Sequence, residues 1–399
     1  MHEQGTPVTA GVVEAVVGFS SSFVVVLAGL TAVGATPAQA ASGLLALCVA
    51  QALGMLWLAL RHRTPVSLAW STPGAALLVT TGAVQGGWPA AVGAFVATGV
   101  LVVLTGLVPR LGDLVAAIPP SLARAMLAGV LLPLCVEPVL ALADSPAMVA
   151  PVVLTWLALQ RRAARWAVPA ALVVALVVVV VTAGDAVAAG DLLPTLALTA
   201  PTWSWQAMVG VTLPLYVVTM ASQNVPGVAV MGSFGYRVPW RESMGVTGLG
   251  TLLVAPLGGP AVNLAAITAA LTAGPAAGPD RDQRWRASVS AALTYLVLAA
   301  GAGALTALVA AAPDGVVQSA AGLALLGTLA ASLSDALADP ADRLAAIGCL
   351  VVAASGVSIL GVGAAFWALV VGLVLRRVSP SAPSPTSSAV PARSGTHRR

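Results

Sequence analysis

The chain has 399 residues, of which 59% are hydrophobic and only 8% charged, with a formal net charge of +4. A soluble domain carries about 25% charged residues and could not cover its surface with so few, so a soluble fold is excluded. The basic balance does not point to nucleic acid, because the arginines fall between apolar runs rather than on one face.

Apolar runs and their breaks predict an all-α integral membrane protein with about fourteen spanning segments. The first, 8–34, is too long for a cleaved signal peptide and has no cationic stretch before it. It carries Glu14 and, at mid-span, Ser20, Ser21 and Ser22. An acid inside a span is a functional candidate by default, and the serines either line a pocket or bond neighbouring helices. After 42–60 comes a short segment, 68–82, opening on Trp70-Ser71-Thr72-Pro73-Gly74. Proline favours the first helical turn and Ser or Thr the cap before it, so a half-helix starting in mid-membrane is expected. Segments 88–108, 119–142, 147–160 and 166–184 follow. Glu137, between Pro133 and Pro138, is expected to snorkel.

Segment eight, 206–231, carries Ser222, Gln223 and Asn224 at mid-span, and Pro226 frees the carbonyl of Ser222 and predicts a kink there. Two amides side by side in hydrocarbon are costly unless they face a cavity or each other. After 242–257, segment ten (260–273) opens on Gly258-Gly259-Pro260-Ala261 and reads as a second half-helix. Segments 286–311, 315–333, 342–355 and 356–375 complete the set, and a tail at 379–399, rich in Ser, Pro, Ala and Thr, is expected to be disordered.

The connections test this division. Every even-numbered one carries arginine: Arg61 and Arg63, Arg110, Arg161 to Arg165, Arg237 and Arg241, Arg281 to Arg286, and Arg343, with Arg376 and Arg377 opening the tail. The odd-numbered ones carry none, and hold Asp144, Asp185, Asp191 and Asp314 instead. Cytoplasmic loops collect Arg and Lys, so both termini are expected in the cytoplasm. Fourteen divides into seven plus seven, the inverted-repeat plan of many transporters. Residues 16–22 line up with 217–223, 72–77 with 259–264, and 128–129 with 321–322. The expected organisation is a first repeat at 1–200, a second at 201–378 and the tail at 379–399. Two half-helix N-termini facing each other would hold an anion with no buried cation.

Cys48, Cys135 and Cys349 lie in separate apolar segments without ligand spacing, and His2, His62 and His397 lie outside the spans. No metal, cofactor or enzyme site is expected.

The blocks Trp70-Ser71-Thr72-Pro73-Gly74-Ala75, Met220-Ala221-Ser222-Gln223-Asn224, Asn263-Leu264-Ala265-Ala266-Ile267-Thr268 and Pro279-Asp280-Arg281-Asp282-Gln283-Arg284-Trp285 resemble the benzoate–proton symporter family. The likeness extends from segment one to Trp367 and implies the architecture of the uracil permeases and sulfate anion transporters. There, segments one to four and eight to eleven form a core, the rest a gate, and substrate sits between segments three and ten. Uracil permeases hold their base with acids on segments eight and ten, where this chain has Gln223 or Asn224 and Asn263. Neutral amides suit a carboxylate better than a nucleobase.

The resemblance thus implies import of benzoate or a similar aromatic carboxylate with protons by alternating access, in the cytoplasmic (inner) membrane of a bacterium. A nucleobase or an inorganic anion is the alternative within the same fold. The candidate binding residues are Ser21, Ser22, Ser71, Thr72, Gly74, Ser222, Gln223, Asn224, Gly259, Ala261 and Asn263, with Glu14 as candidate proton carrier. The expected partners are the small anion, protons and membrane lipid, and a homodimer is left open.

Overall fold

Segment starts follow the caps written into the sequence. In the computed structural model, which describes residues 6–378 apart from 188, 194 and 267, α1 (Pro7–Ser20) opens on a Thr6 cap closed by Thr9, with proline at its first turn. The same device, Thr36 with Gln39 and Pro37, opens α3 (Pro37–His62). Between them, α2 (Phe23–Ala32) continues the first span after a break at Ser21 and Ser22. The expected tail at 379–399 lies outside the described residues, as do His2 and His397.

Strand β1 (Leu68–Trp70) then leads into α4 (Thr72–Thr81), the predicted half-helix, capped by Ser71. Five helices follow: α5 (Gly87–Leu107), the short α6 (Pro109–Ala116), which lies in a connection, α7 (Pro120–Asp144), α8 (Pro146–Gln160) and α9 (Ala164–Ala183). Glu137 is half-buried on α7.

Helix α10 (Trp205–Ser233) is continuous but holds two π-helical turns, Met208–Thr212 and Met220–Asn224. Each stands just ahead of a proline, Pro214 and Pro226. A proline in a helix leaves a carbonyl without its N–H, and a wider turn is one way the backbone adjusts. The kink expected at Pro226 is therefore a π turn, and it carries Ser222, Gln223 and Asn224.

The second half-helix departs from expectation. After α11 (Trp240–Val254), the residues following Pro260 form strand β2 (Val262–Leu264), not a helix. It pairs antiparallel with β1: Leu68 opposes Leu264, Ala69 opposes Asn263 and Trp70 opposes Val262. Strand pairing satisfies backbone groups that would otherwise be orphaned at this depth. A helix, α12 (Ala269–Ala273), starts only after the irregular stretch that follows β2 and has five residues. The expectation of a helix start at Pro260, with Gly259 and Ala261 at its N-terminus, is corrected by this pairing.

Segment eleven is α13 (Trp285–Ala300) and α14 (Ala302–Ala311), bent by 54° at Gly301. The chain ends with α15 (Val316–Ala336), α16 (Arg343–Ala354) and α17 (Ala364–Val378). Seven helices are long and apolar enough to cross a membrane unaided, or eight with the bent pair counted as one span. Large apolar side chains such as Val181, Leu253 and Val297 stand more than 70% exposed on the outer surface, as a lipid-facing surface requires.

Packing divides the helices. α1 and α3 lie on α13, α5 on α11, and α2 on α4; elsewhere α7 lies on α15 and α16, α8 on α9, and α16 on α17. Gly11 lets α1 approach α13, because a Cβ there would press on the backbone of Ala287 and Ala291. Gly11→Leu is expected to destabilise the protein by about 1–3 kcal/mol. Thermal unfolding in detergent checks this, and an unchanged midpoint would refute so close a contact.

Candidate functional site

The pairing of β1 with β2 brings the first and second halves of the chain together in the middle of the core. Beside the strands lies a small cavity of about 60 Å³. Its walls come from four places: Gly18, Ser21 and Ser22 of the first span; Ala69, Trp70 and Thr72; Gln223 of α10; and Ala265, Ala266, Thr268 and Tyr295 of the second half.

One side is aromatic. Trp70 is buried and donates its indole N–H to Ser22 Oγ at 2.9 Å. Tyr295 stands edge-on to Trp70 with ring centroids 6.1 Å apart, and Phe19 does the same at 5.6 Å. Gly18 makes room for Tyr295: a Cβ there would come within 2.6 Å of the phenol oxygen.

The other side is polar and neutral. Gln223 accepts a hydrogen bond from the Ala266 N–H at 3.3 Å through Oε1, which leaves its NH₂ group without a protein partner among the described residues. Thr72 begins α4. The Gly74 N–H donates to the Ser71 side chain at 3.1 Å, and Thr72, in the cavity wall, brings the N-terminal end of the helix beside the cavity. Ser21 and Ser22 donate to the Gly18 carbonyl at 3.0 and 3.1 Å.

Glu14 sits one helical turn from Gly18 and is fully buried. Thr268, in the cavity wall, donates to its Oε1 at 2.7 Å, and Oε2 has no protein partner. The four ion pairs among the described residues all lie elsewhere. A carboxyl group buried without a cation is costly to keep charged.

Of the residues singled out from the sequence, Ser21, Ser22, Thr72 and Gln223 line the cavity, and Glu14 stands just behind it. The remainder hold the frame. Ser71 caps α4 and meets the Thr219 hydroxyl at 2.8 Å. Gly74 is pressed against Leu215 and Ser71. The Ser222 hydroxyl donates to the Val218 carbonyl. Asn224 accepts from the Leu264 N–H at 2.8 Å and so fixes β2 to α10. The Gly259 N–H donates to the Val254 carbonyl at 2.9 Å, and the Ala261 carbonyl accepts from the Ser71 N–H at 3.0 Å. Asn263 sits within β2 opposite Ala69.

Sequence reasoning passed over Gly18, Trp70, Thr268 and Tyr295 as wall residues. Tyr295 left a usable signal: it is one of only three tyrosines, and it lies inside an apolar run. A buried phenol there wants a partner.

Comparison with known proteins bears on family and fold. The family model described as benzoate membrane transport protein matches residues 2–378. The chain is 40% identical over 368 residues to the inner membrane protein YdcO of Escherichia coli, covering 91% of this chain and 93% of that one. It is 28% identical over 378 residues to the benzoate membrane transport protein of Acinetobacter baylyi, covering 92% and 93%. Among solved structures it resembles the transmembrane domain of the cyanobacterial bicarbonate transporter BicA, with a TM-score of 0.59 over 92% of this chain and 96% of that one. At 14% identity that likeness concerns the fold alone.

Proposed function

The chain belongs to the benzoate membrane transport protein family, and from that premise we propose that it imports benzoate or a similar aromatic carboxylate together with protons. The observation that carries the reading is the cavity itself. An aromatic corner of Trp70 and Tyr295 faces neutral donors from Gln223 and Thr72, and a buried carboxyl group waits behind Thr268. A flat ring fits the first, a carboxylate the second, and a proton the third.

The proposed mode is alternating access, and the size of the cavity supports a change of shape. A ligand pocket needs roughly 300 Å³ or more, so the cavity of about 60 Å³ must widen to admit a ring. Movement of α7–α9 and α15–α17 against the core that holds β1 and β2 would do this. The proposed frame is fourteen crossings in two inverted repeats. Its support is that several packing pairs have a mate when segment n is exchanged with n + 7: α3 on α13 matches α11 on α5, α8 on α9 matches α16 on α17, and α7 on α16 matches α15 on α8. Contacts of Arg61 with Glu242, Arg124 with Asp335 and Arg376 with Asp342 draw arginine-bearing ends together, as a shared cytoplasmic face requires.

In proteoliposomes, uptake of labelled benzoate should rise with an inward proton gradient. Uptake indifferent to the gradient would remove proton coupling. A nucleobase or bicarbonate that displaces benzoate at lower concentration would transfer the site to that substrate. Gln223→Ala removes one donor and is expected to weaken benzoate binding by about tenfold, the value of a hydrogen bond to a charged group. Calorimetric titration checks it.

A further inference from the structure

The connection between α16 and α17 carries no arginine and holds a tight turn at 359–362. Ile359 and Val362 exchange both backbone hydrogen bonds at 3.0 Å. The two residues between them, Leu360 and Gly361, have positive φ of 56° and 73°. That is the two-residue turn of a β-hairpin, a stiff unit. Trp367, one turn into α17, shares its indole N–H between the Ile359 and Val362 carbonyls at 3.3 and 3.2 Å. The turn is therefore pinned to α17 and moves with it.

Against this turn lie the C-terminal end of α4 and the first turns of α10. Three glycines bring the two sides together. Gly210 belongs to the first π turn of α10, which takes no part in the substrate cavity. A Cβ there would come within 3.3 Å of Val362 Cα. A Cβ on Gly361 would lie 3.7 Å from Gln206 Cβ, and one on Gly363 would lie 3.7 Å from Thr81 Cα. Among the described residues no hydrogen bond joins the turn to α4 or α10; its polar contacts all stay on its own side. A cavity of about 620 Å³ opens along this seam. Thr81, Gln85 and Gln206 line it from the core, and Ser358, Leu360 and Gly361 from the turn. Thr72 and Thr81 are the two ends of α4, so about 14 Å of helix separates this vestibule from the substrate cavity.

We infer that the turn at 359–362 is the outer gate, a lid fixed to α17 that seals the arginine-free side by packing on α4 and α10. A seal made by packing alone strands no donor or acceptor when it parts, so it opens without the cost of unmade hydrogen bonds. The glycines let two backbones meet closely, and the stiff turn carries the motion of α16 and α17 to the contact. When those helices swing away from the core, the turn lifts, and the vestibule joins the path along α4 to the substrate cavity. The inference rests on the reading of the chain as an alternating-access importer.

Crosslinking tests it. With Cys48, Cys135 and Cys349 replaced by alanine, Gln206→Cys with Gly361→Cys should form a disulfide, because a Cβ separation of 3.7 Å is the usual one. Thr81→Cys with Gly363→Cys is the second pair, at a glycine whose φ is not positive. Oxidised, either pair should lower benzoate uptake at least tenfold, and a reductant should restore it. Full uptake by a completely crosslinked protein, or failure of both pairs to close, would overturn the gate. A second measurement needs no substrate. Ala266→Cys places a thiol in the cavity wall of the crosslinked protein. A small charged thiol reagent added on the arginine-free side should modify position 266, read by peptide mass, only after reduction. The same result in both states would also overturn the gate. Modification that follows reduction in a protein without benzoate uptake would sink the substrate reading and leave the gate standing.

Discussion

Glu14→Gln is expected to cut benzoate accumulation driven by a proton gradient by about a hundredfold or more, in the range for removing a positioned proton-transfer group, while counterflow continues. The substitution is nearly isosteric. Its amide oxygen still accepts the bond from Thr268 that Glu14 receives at 2.7 Å, so α1 keeps its tie to the stretch before α12. What is lost is the exchangeable proton. Glu14→Asp makes the opposite cut: it keeps the proton but withdraws the carboxyl group by one methylene, breaking reach to Thr268. It should retain gradient-driven uptake at a reduced rate. Uptake of labelled benzoate by reconstituted vesicles, with and without an imposed gradient, separates the variants. Accumulation by Glu14→Gln equal to that of the parent would move proton coupling to another group. The remaining fully buried ionisable side chains near the cavity, Tyr295 and Cys48, would then be the next to change.

Much of the frame was legible because it rests on local rules. Thr6 and Pro7, Thr36 and Pro37, and Ser71 and Pro73 announce helix starts, and helices begin there. Pro226 announced an irregularity in α10, and a π turn lies just ahead of it. The second half-helix was misread because Gly-Gly-Pro followed by Ala is also a helix-start pattern. The contest was decided by a pairing partner nearly two hundred residues away, β1, and no local pattern reports it. The same distance explains the site. Ser21, Thr72 and Gln223, which line the cavity, stood out as polar residues in apolar runs. Trp70 and Tyr295 were missed because an aromatic in a membrane helix is ordinary until its neighbours are known. Asn224 and Asn263 were expected at the site from their polarity alone; that Asn224 bonds the Leu264 N–H and that Asn263 lies within β2 depends on the same distant pairing.

Trp70→Ala is expected to weaken benzoate binding by about a hundredfold. The indole forms one wall of the aromatic corner, and losing the packing of a ring face removes about 1–3 kcal/mol of contact. The same change empties a buried site between α1 and α13 and should cost about 3–5 kcal/mol of stability, so lost binding by itself does not identify a substrate contact. Two milder variants separate the causes. Trp70→Phe keeps an aromatic face and gives up the N–H that Ser22 accepts at 2.9 Å together with part of the ring's bulk. Tyr295→Phe keeps the ring packed edge-on to Trp70 and gives up only the hydroxyl facing Gly18. If the corner holds the ring of the substrate, Trp70→Phe should bind benzoate nearly as well as the parent. Trp70→Ala should also lose its preference for benzoate over cyclohexanecarboxylate, because a flat slot favours a flat ring. Tyr295→Phe should unfold at the parent temperature yet bind about tenfold more weakly if its hydroxyl reaches the carboxylate. A Trp70→Ala protein that still prefers benzoate to the saturated acid would place the ring elsewhere and leave Trp70 as a strut between α1 and β1.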